Sequence, residues 1–258
     1  MKFVFTTLLS LTFVSFANAG VSAVRHEGEN FESARVRSVN AVQIESKLPL
    51  IQTPYDVRKS LSRLDISTIP EVASLEELTA QFVYIRDTRF MPSRMENFPR
   101  RMTWLYPDDG CFARAELVAD FLVLQNFVAP KKVFGFGDLR AATNNSPYGS
   151  VSWWYHVAAI YRVGDTPYVM DPALMPERPM TLQEWNTAIG GNSTKVQYAI
   201  CATNTFDPDY DCANPQPMTI NHAQAEQAAY FNAEWNRLLQ LKRNPEQELG
   251  DNPPWKKH

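Results

Sequence analysis

The stretch that decides the fold is residues 152–172, which read SWWYHVAAIYRVGDTPYVMDP. Ser152 to Val163 is rich in aromatic and β-branched residues, and this composition favours a strand. Residues 164–167 (GDTP) have the composition of a turn, and residues 168–171 read as a returning strand that ends at Pro172. The pattern therefore predicts an antiparallel hairpin.

The hairpin brings a histidine close to an aspartate. If the hairpin loop within 164–167 has two or four residues, the residues that pair across the hairpin have numbers whose sum is odd. The sum of 156 and 171 is also odd. We therefore expect His156 and Asp171 on the same sheet face at nearby rungs. An aspartate there can hold an imidazole in the tautomer that acts as a base. The ordinary alternatives are a satisfied core histidine and an aspartate that ends a strand.

Upstream, residues 107–116 read PDDGCFARAE and precede an apolar stretch that predicts a helix over residues 111–126. Cys111 would lie in the first turn, where free N–H groups and the helix dipole favour negative charge. We therefore expect a lowered pKa for the Cys111 thiol and candidate oxyanion donors beside it. Gly110 would let the backbone approach a substrate carbonyl closely. Cys, His and Asp on a helix start and two strands indicate a thiol acyl-transfer enzyme.

The other two cysteines, Cys201 and Cys212, flank a turn-rich loop. Their closeness in sequence predicts a disulfide in an oxidising compartment. Cys111 is then left over as a free thiol, which suits a nucleophile, although a buried inert thiol would also fit. The sequence has no Cys-x-x-Cys or His-x-x-x-His spacing, so we expect no metal and no cofactor.

The first 19 residues are expected to be a signal peptide. Lys2 precedes an apolar run, and Ala17-Asn18-Ala19 is a small-residue cleavage site. We therefore expect a secreted or periplasmic protein without a membrane span. The net charge is −3 and the chain has no long basic run, so nucleic acid and anionic membranes are not expected partners.

Three parts follow from these patterns: a signal peptide at 1–19, an N-terminal extension at 20–67, and a catalytic domain at 68–258. The extension is polar without sustained periodicity, and it is either a short pro-segment over the active site or a solvated arm. Further predicted elements are a helix at 74–85 capped by Ser74, a strand at 132–136 and a helix at 223–241. The predicted fold class is α+β, with an antiparallel sheet packed against the helix that bears the nucleophile.

Three blocks of sequence resemble the bacterial protein-glutaminases. They are Asp109–Ala115 (DGCFARA), Trp154–Ala158 (WYHVA) and Val169–Leu174 (VMDPAL), with Trp185 further on. That family is secreted, deamidates glutamine side chains in proteins, and is related in fold to transglutaminases and papain-like enzymes. Its members are made as precursors whose pro-segment blocks the active site.

The resemblance implies a role for each of these residues. Cys111 would be the nucleophile, His156 the base and acid, and Asp171 the carboxylate that orients the imidazole. Gly110, Trp154 and Tyr155 would bind the substrate, a protein or peptide that bears glutamine, and the enzyme would act as a monomer. A transglutaminase, a papain-like thiol protease and an exported non-catalytic binding protein remain as alternatives, because a triad alone does not decide among them.

Overall fold

The computed structural model describes residues 20–42, 52–90 and 100–249, and the predicted signal peptide lies outside them. Its elements confirm the α+β class. The helices are α1 Phe31–Ala41, α2 Leu75–Asp87, α3 Cys111–Leu124, α4 Leu182–Ala188, α5 Ile220–Ala228, α6 Phe231–Gln240 and α7 Pro245–Leu249. The strands are β1 Arg89–Phe90, β2 Arg100–Arg101, β3 Lys131–Ala142, β4 Ser150–Val163, β5 Thr166–Met170, β6 Met180–Thr181 and β7 Gln197–Cys201.

The main sheet has five strands in the order β6-β5-β4-β3-β7, and every neighbouring pair is antiparallel. The predicted hairpin is β4–β5. Val163 pairs with Thr166, so Gly164 and Asp165 form a two-residue turn. Because that loop has an even number of residues, positions 156 and 171 lie on the same face of the sheet, as the sequence predicted.

Strand β3 is longer than its sequence predicts. It runs from Lys131 to Ala142 along β4, with a change of register between Phe136 and Leu139. Glycines at 135 and 137 lower the local strand propensity, and the long pairing with β4 outweighs it. The structure thus extends the core strand pair beyond what local composition indicates.

Helix α3 lies against β4 and α5, and eleven of its fourteen residues are buried. Gly110 precedes it in the left-handed conformation, with φ 76°. A Cβ atom there would also lie 2.7 Å from the ring of Tyr230. Backbone conformation and close packing therefore both require glycine before Cys111.

The C-terminal helix predicted over 223–241 is wrong as a single helix. The structure has α5 and α6, which are separated at Ala229 and Tyr230. The break turns the ring of Tyr230 towards Gly110 and Phe112, where it packs at the start of α3. Contact with a distant segment of the chain decides this break, and the helical periodicity of the sequence does not show it.

The described parts of the extension pack against the sheet. Helix α1 begins at an Asn30 capping box and lies on β3 and β4. Lys59 pairs with Tyr198 at the β7 edge, and Glu71 forms a bridge with Arg162 of β4. Residues on both sides of the gap at 43–51 therefore cover the sheet.

Cys201 and Cys212 are joined in a disulfide, with Cα atoms 4.6 Å apart. Cys111 is free and buried. None of the described helices has the length and apolar character needed to span a bilayer.

Candidate active site

His156 and Asp171 form a buried pair. Nε2 of His156 lies 2.8 Å from Oδ2 of Asp171, and the indole N–H of Trp185 donates to the same oxygen at 2.9 Å. Burial by itself raises the pKa of Asp171. The charge of His156 and the hydrogen bonds from His156 and Trp185 outweigh burial, so that the pKa is lowered. The carboxylate is therefore held ionised against the imidazole.

The second ring nitrogen of His156, Nδ1, takes no part in the pair with Asp171. Nδ1 is buried and makes no hydrogen bond to any residue that the structure describes. The next residue in β4, Val157, has its main-chain N–H hydrogen-bonded to the sulfur of Cys111. The free thiol thus lies beside the strand position that carries the imidazole.

The expected lowering of the Cys111 pKa is wrong for this form of the protein. Burial raises the pKa of the thiol to about 12, although the charge of Arg114 and the hydrogen bond from Val157 act in the opposite direction. Cys111 is only 2% exposed. The free-energy cost of removing a thiolate from water exceeds the stabilisation that the N–H groups and dipole of the helix start provide. The thiol is therefore neutral at neutral pH while the site is covered.

Two indole rings lie against the imidazole. The ring of Trp153 stacks on His156 with centroids 4.4 Å apart and planes 8° apart, and the ring of Trp185 lies at 5.7 Å. The indole N–H of Trp153 also contacts the carbonyl oxygens of Pro107 and Asp108, at 3.0 and 2.9 Å. Trp153 therefore links the imidazole to the loop that leads into Cys111.

The residues Gly20–Val24, called here the N-terminal segment, lie along β4 next to this site. Val24 forms a β-bridge with Trp153, and the main-chain N–H of Trp154 donates to the carbonyl of Ala23 at 3.0 Å. The carboxylate of Asp109 accepts hydrogen bonds from Ser22 Oγ at 2.6 Å and from the Ala23 N–H at 3.1 Å. The segment therefore follows β4 beside the nucleophile loop.

The three predicted substrate-binding residues lie around this segment. The indole N–H of Trp154 donates to the carbonyl of Ser22 at 2.8 Å, and the hydroxyl of Tyr155 donates to the carbonyl of Val21. Both aromatic side chains are almost fully buried. Gly110 lies next to Cys111, where its role in the structure is to start the helix. Trp154 and Tyr155 thus bind main-chain carbonyl groups of an extended peptide, here the chain's own.

Three residues that shape the site were quoted in the sequence blocks above, but sequence analysis assigned them no role. Asp109 holds the N-terminal segment, and the guanidinium of Arg114 donates to the carbonyl oxygens of Tyr106 and Asp109 at 3.2 and 2.8 Å. Trp185 approaches Asp171 from helix α4, whose start is a capping box at Thr181. The capping pattern was readable from the sequence, but nothing in it showed which way the indole points.

Among the described residues, no three His, Cys, Asp or Glu side chains are placed to hold a metal ion. Cys111, His156 and Asp171 supply the site with a thiol, an imidazole and a carboxylate.

The comparisons with known proteins agree with this geometry. Residues 78–189 match the family model described as Glutaminase. The matched segment is less than half of the chain. It contains Cys111, His156, Asp171 and Trp185, so the sequence resemblance to the protein-glutaminases is confirmed over the part of the chain that forms the site.

Two solved structures share the fold. The crystal structure of a pro- protein-glutaminase aligns with a TM-score of 0.51 at 20% identity, over 82% of this chain and 84% of that chain. The NMR structure of protein-glutaminase from Chryseobacterium proteolyticum aligns with a TM-score of 0.50 at 22% identity, over 62% of this chain and 88% of that chain. At these identities the likeness shows the fold alone. The chain matches no curated protein sequence.

Proposed function

We propose that this protein is a protein-glutamine deamidase, which hydrolyses the side-chain carboxamide of glutamine residues in proteins and releases ammonia. One observation carries the proposal. The segment that matches the glutaminase family encloses a buried His156–Asp171 pair with a free ring nitrogen, and the residue after His156 contacts the sulfur of Cys111.

In the first half of the reaction, His156 takes the proton of the Cys111 thiol on Nδ1, and the sulfur attacks the carboxamide carbon. N–H groups in the first turn of α3 have no acceptor within the helix, so they are available to the oxyanion. The imidazolium then gives its proton to the leaving nitrogen, the C–N bond breaks, and ammonia departs. Cys111 and the substrate are left joined as a thioester.

In the second half, His156 takes a proton from water, and the hydroxide attacks the thioester carbon. The C–S bond breaks, the sulfur is protonated, and the side chain leaves as glutamate. Asp171 stays ionised throughout and stabilises the imidazolium, as its lowered pKa requires. Each proton that His156 accepts is thus returned within the same half-reaction.

The alternatives differ from this reaction in the acyl acceptor or the leaving group. A transglutaminase would give the thioester to an amine, and a thiol protease would attack a main-chain carbonyl. The buried indoles of Trp153 and Trp154 support hydrolysis of a protruding side chain, because they leave little room for a bulky amine. A non-catalytic binding protein would have no need of an ionised aspartate paired to a buried imidazole.

We further propose that residues 20–67 act as a short pro-segment and that the protein is exported. The contacts of Gly20–Val24 along β4 and the low exposure of Cys111 support a covered, latent site. The disulfide supports maturation in an oxidising compartment, as does the predicted signal peptide.

The test is ammonia release from a glutamine-rich protein, measured with the exported chain before and after limited proteolysis of its extension. We expect ammonia, a mass increase equal to the conversion of amide to acid, and no cut peptide bonds. Free glutamine should react poorly, because it lacks the remote contacts of a polypeptide. Cys111→Ala should abolish release while thermal unfolding stays nearly unchanged.

Two results would redirect the assignment. Peptide fragments in place of the mass increase would indicate a protease. Incorporation of an added primary amine that exceeds hydrolysis would indicate a transglutaminase.

A further inference from the structure

The N-terminal segment is anchored by carboxylates at its first residues. The side chain of Glu226 in α5 accepts a hydrogen bond from the main-chain N–H of Gly20. Oδ2 of Asp207 accepts the next one, from Val21, at 3.1 Å. Together with the contacts of Asp109 described above, three acidic side chains from separate parts of the chain hold successive residues of the N-terminal segment.

Residue 20 fits tightly in its place. A Cβ atom on Gly20 would lie 2.5 Å from the ring of Phe112 and 2.9 Å from the ring of Phe206. Both rings are buried and pack edge to face, so neither can give way cheaply. Phe112 follows Cys111 in α3, and the anchored end of the segment therefore abuts the first turn of the nucleophile helix.

The predicted signal-peptide cut falls at this same residue. Ala17-Asn18-Ala19 directly precede Gly20, and cleavage after Ala19 would convert the amide N–H of Gly20 into an α-ammonium group. Its pKa is about 8 in ordinary surroundings, and charge-assisted hydrogen bonds are roughly twice as strong as neutral ones. We infer that Glu226, supported by Asp207, is a binding site for the α-ammonium group of Gly20, and that its occupation locks the N-terminal segment over Cys111.

The charges around Glu226 suit a cation. Burial raises the pKa of Glu226, while His222, with Nε2 at 3.4 Å from the carboxylate, acts in the opposite direction. Burial, reinforced by Asp209, raises the pKa of Asp207 to about 7, and Lys132 compensates only partly. An ammonium group at Gly20 would favour the ionised form of these carboxyl groups, which the neutral amide of an uncut chain does not.

The inference deepens the proposed function and rests on it for the role of Cys111. Removal of the signal peptide would tighten the cover, so the exported protein would be latent. Opening of the site would then need a separate event, such as a second cut in the extension.

The experiment compares two chains, one that begins at Gly20 with a free amine and one that keeps Ala17-Asn18-Ala19 before it. The rate of Cys111 alkylation by iodoacetamide reports the opening of the segment. We expect alkylation about tenfold slower in the chain with the free amine, because one charge-assisted contact is added. Glu226→Gln should abolish that difference, whereas Glu177→Gln, on an exposed loop, should preserve it.

Equal alkylation of the two chains, or a difference that survives Glu226→Gln, would overturn the inference. Thermal unfolding of each variant checks that slower alkylation does not reflect a change in global stability. Ammonia release is measured on the same samples after limited proteolysis of the extension, because the uncut chains are expected to be latent. The expected alkylation pattern without ammonia release would support the inferred lock and contradict the proposed deamidase activity. Ammonia release without the expected alkylation pattern would support the deamidase activity and contradict the lock.

Discussion

At the scale of single residues, the site depends on which atoms hold Asp171. One oxygen of its carboxylate receives both the imidazole of His156 and the indole N–H of Trp185. A charged acceptor shared by two donors has a fixed position, and the orientation of the imidazole follows from it. Trp185 is therefore a positioning residue that acts through Asp171.

We predict that Trp185→Phe, which keeps an aromatic ring and removes the N–H, lowers kcat for ammonia release about tenfold and leaves KM nearly unchanged. The pH profile should shift as well, because the pKa of Asp171 loses one of the contacts that lower it. Trp104→Phe is the matched control, since its indole N–H bonds to the carbonyl of Arg86 at 3.1 Å. An equal loss of kcat in both variants would show that Trp185 only stabilises the fold.

At the scale of elements, helix α3 does more than present Cys111. Glu116, one turn further along, forms a buried ion pair with Lys132 of β3. Asp120 lies on the same helix face, and burial together with repulsion from Glu116 raises its pKa to about 7. The helix thus carries a charge that becomes unfavourable as the pH rises.

The sign of this effect gives a prediction. The folded state favours protonated Asp120, so its stabilising contribution is complete below the ordinary value of 3.8 and is lost as the pH rises through about 7. Asp120→Asn should leave the free energy of unfolding almost unchanged at low pH and raise it by about 1–2 kcal/mol at pH 8. Denaturant unfolding at several pH values measures this.

Glu76→Gln, at an exposed position of α2, is the matched control and should be nearly neutral at both pH values. A lower free energy of unfolding for Asp120→Asn at pH 8 would contradict the prediction. It would show that the ionised Asp120 carboxylate is stabilised in the folded state, although its buried Oδ2 has no hydrogen-bond partner among the described residues.

At the scale of the whole molecule, the N-terminal segment connects parts of the chain that are far apart in sequence. Asp109 receives the Ala23 N–H across 86 positions, and Asp207 receives the Val21 N–H across 186. In the latent form proposed above, the reactivity of the Cys111 thiol and the docking of the segment are one equilibrium.

Ala23→Pro should shift that equilibrium towards the open form. Proline removes the N–H that binds Asp109, and we expect alkylation of Cys111 to become at least about tenfold faster, with a lower apparent pKa, because the thiol regains water. Glu27→Pro is the control, since residue 27 is the second position of the turn closed by the Glu29 N–H and the His26 carbonyl, where proline is favoured. Unchanged alkylation in Ala23→Pro would mean that the segment does not control access to the thiol.

The sequence by itself determined the features that depend on short-range pattern. Alternation and turn chemistry specified the β4–β5 hairpin and its even loop, which fixes how positions 156 and 171 are related. Serine at 74 specified the start of α2 through its bond to the Glu77 N–H. The spacing of Cys201 and Cys212 specified the disulfide and left Cys111 free. Each of these results needs only neighbours along the chain or across one turn.

Only the tertiary structure decided the features that depend on burial and on distant contacts. The helix start favours a thiolate at Cys111, yet the pKa is raised because burial in the core removes water from the sulfur. The break between α5 and α6 exists because Tyr230 packs against Gly110, which is far away in sequence. Desolvation and packing are properties of the assembled core, and local periodicity carries no information about which segment will cover which side chain.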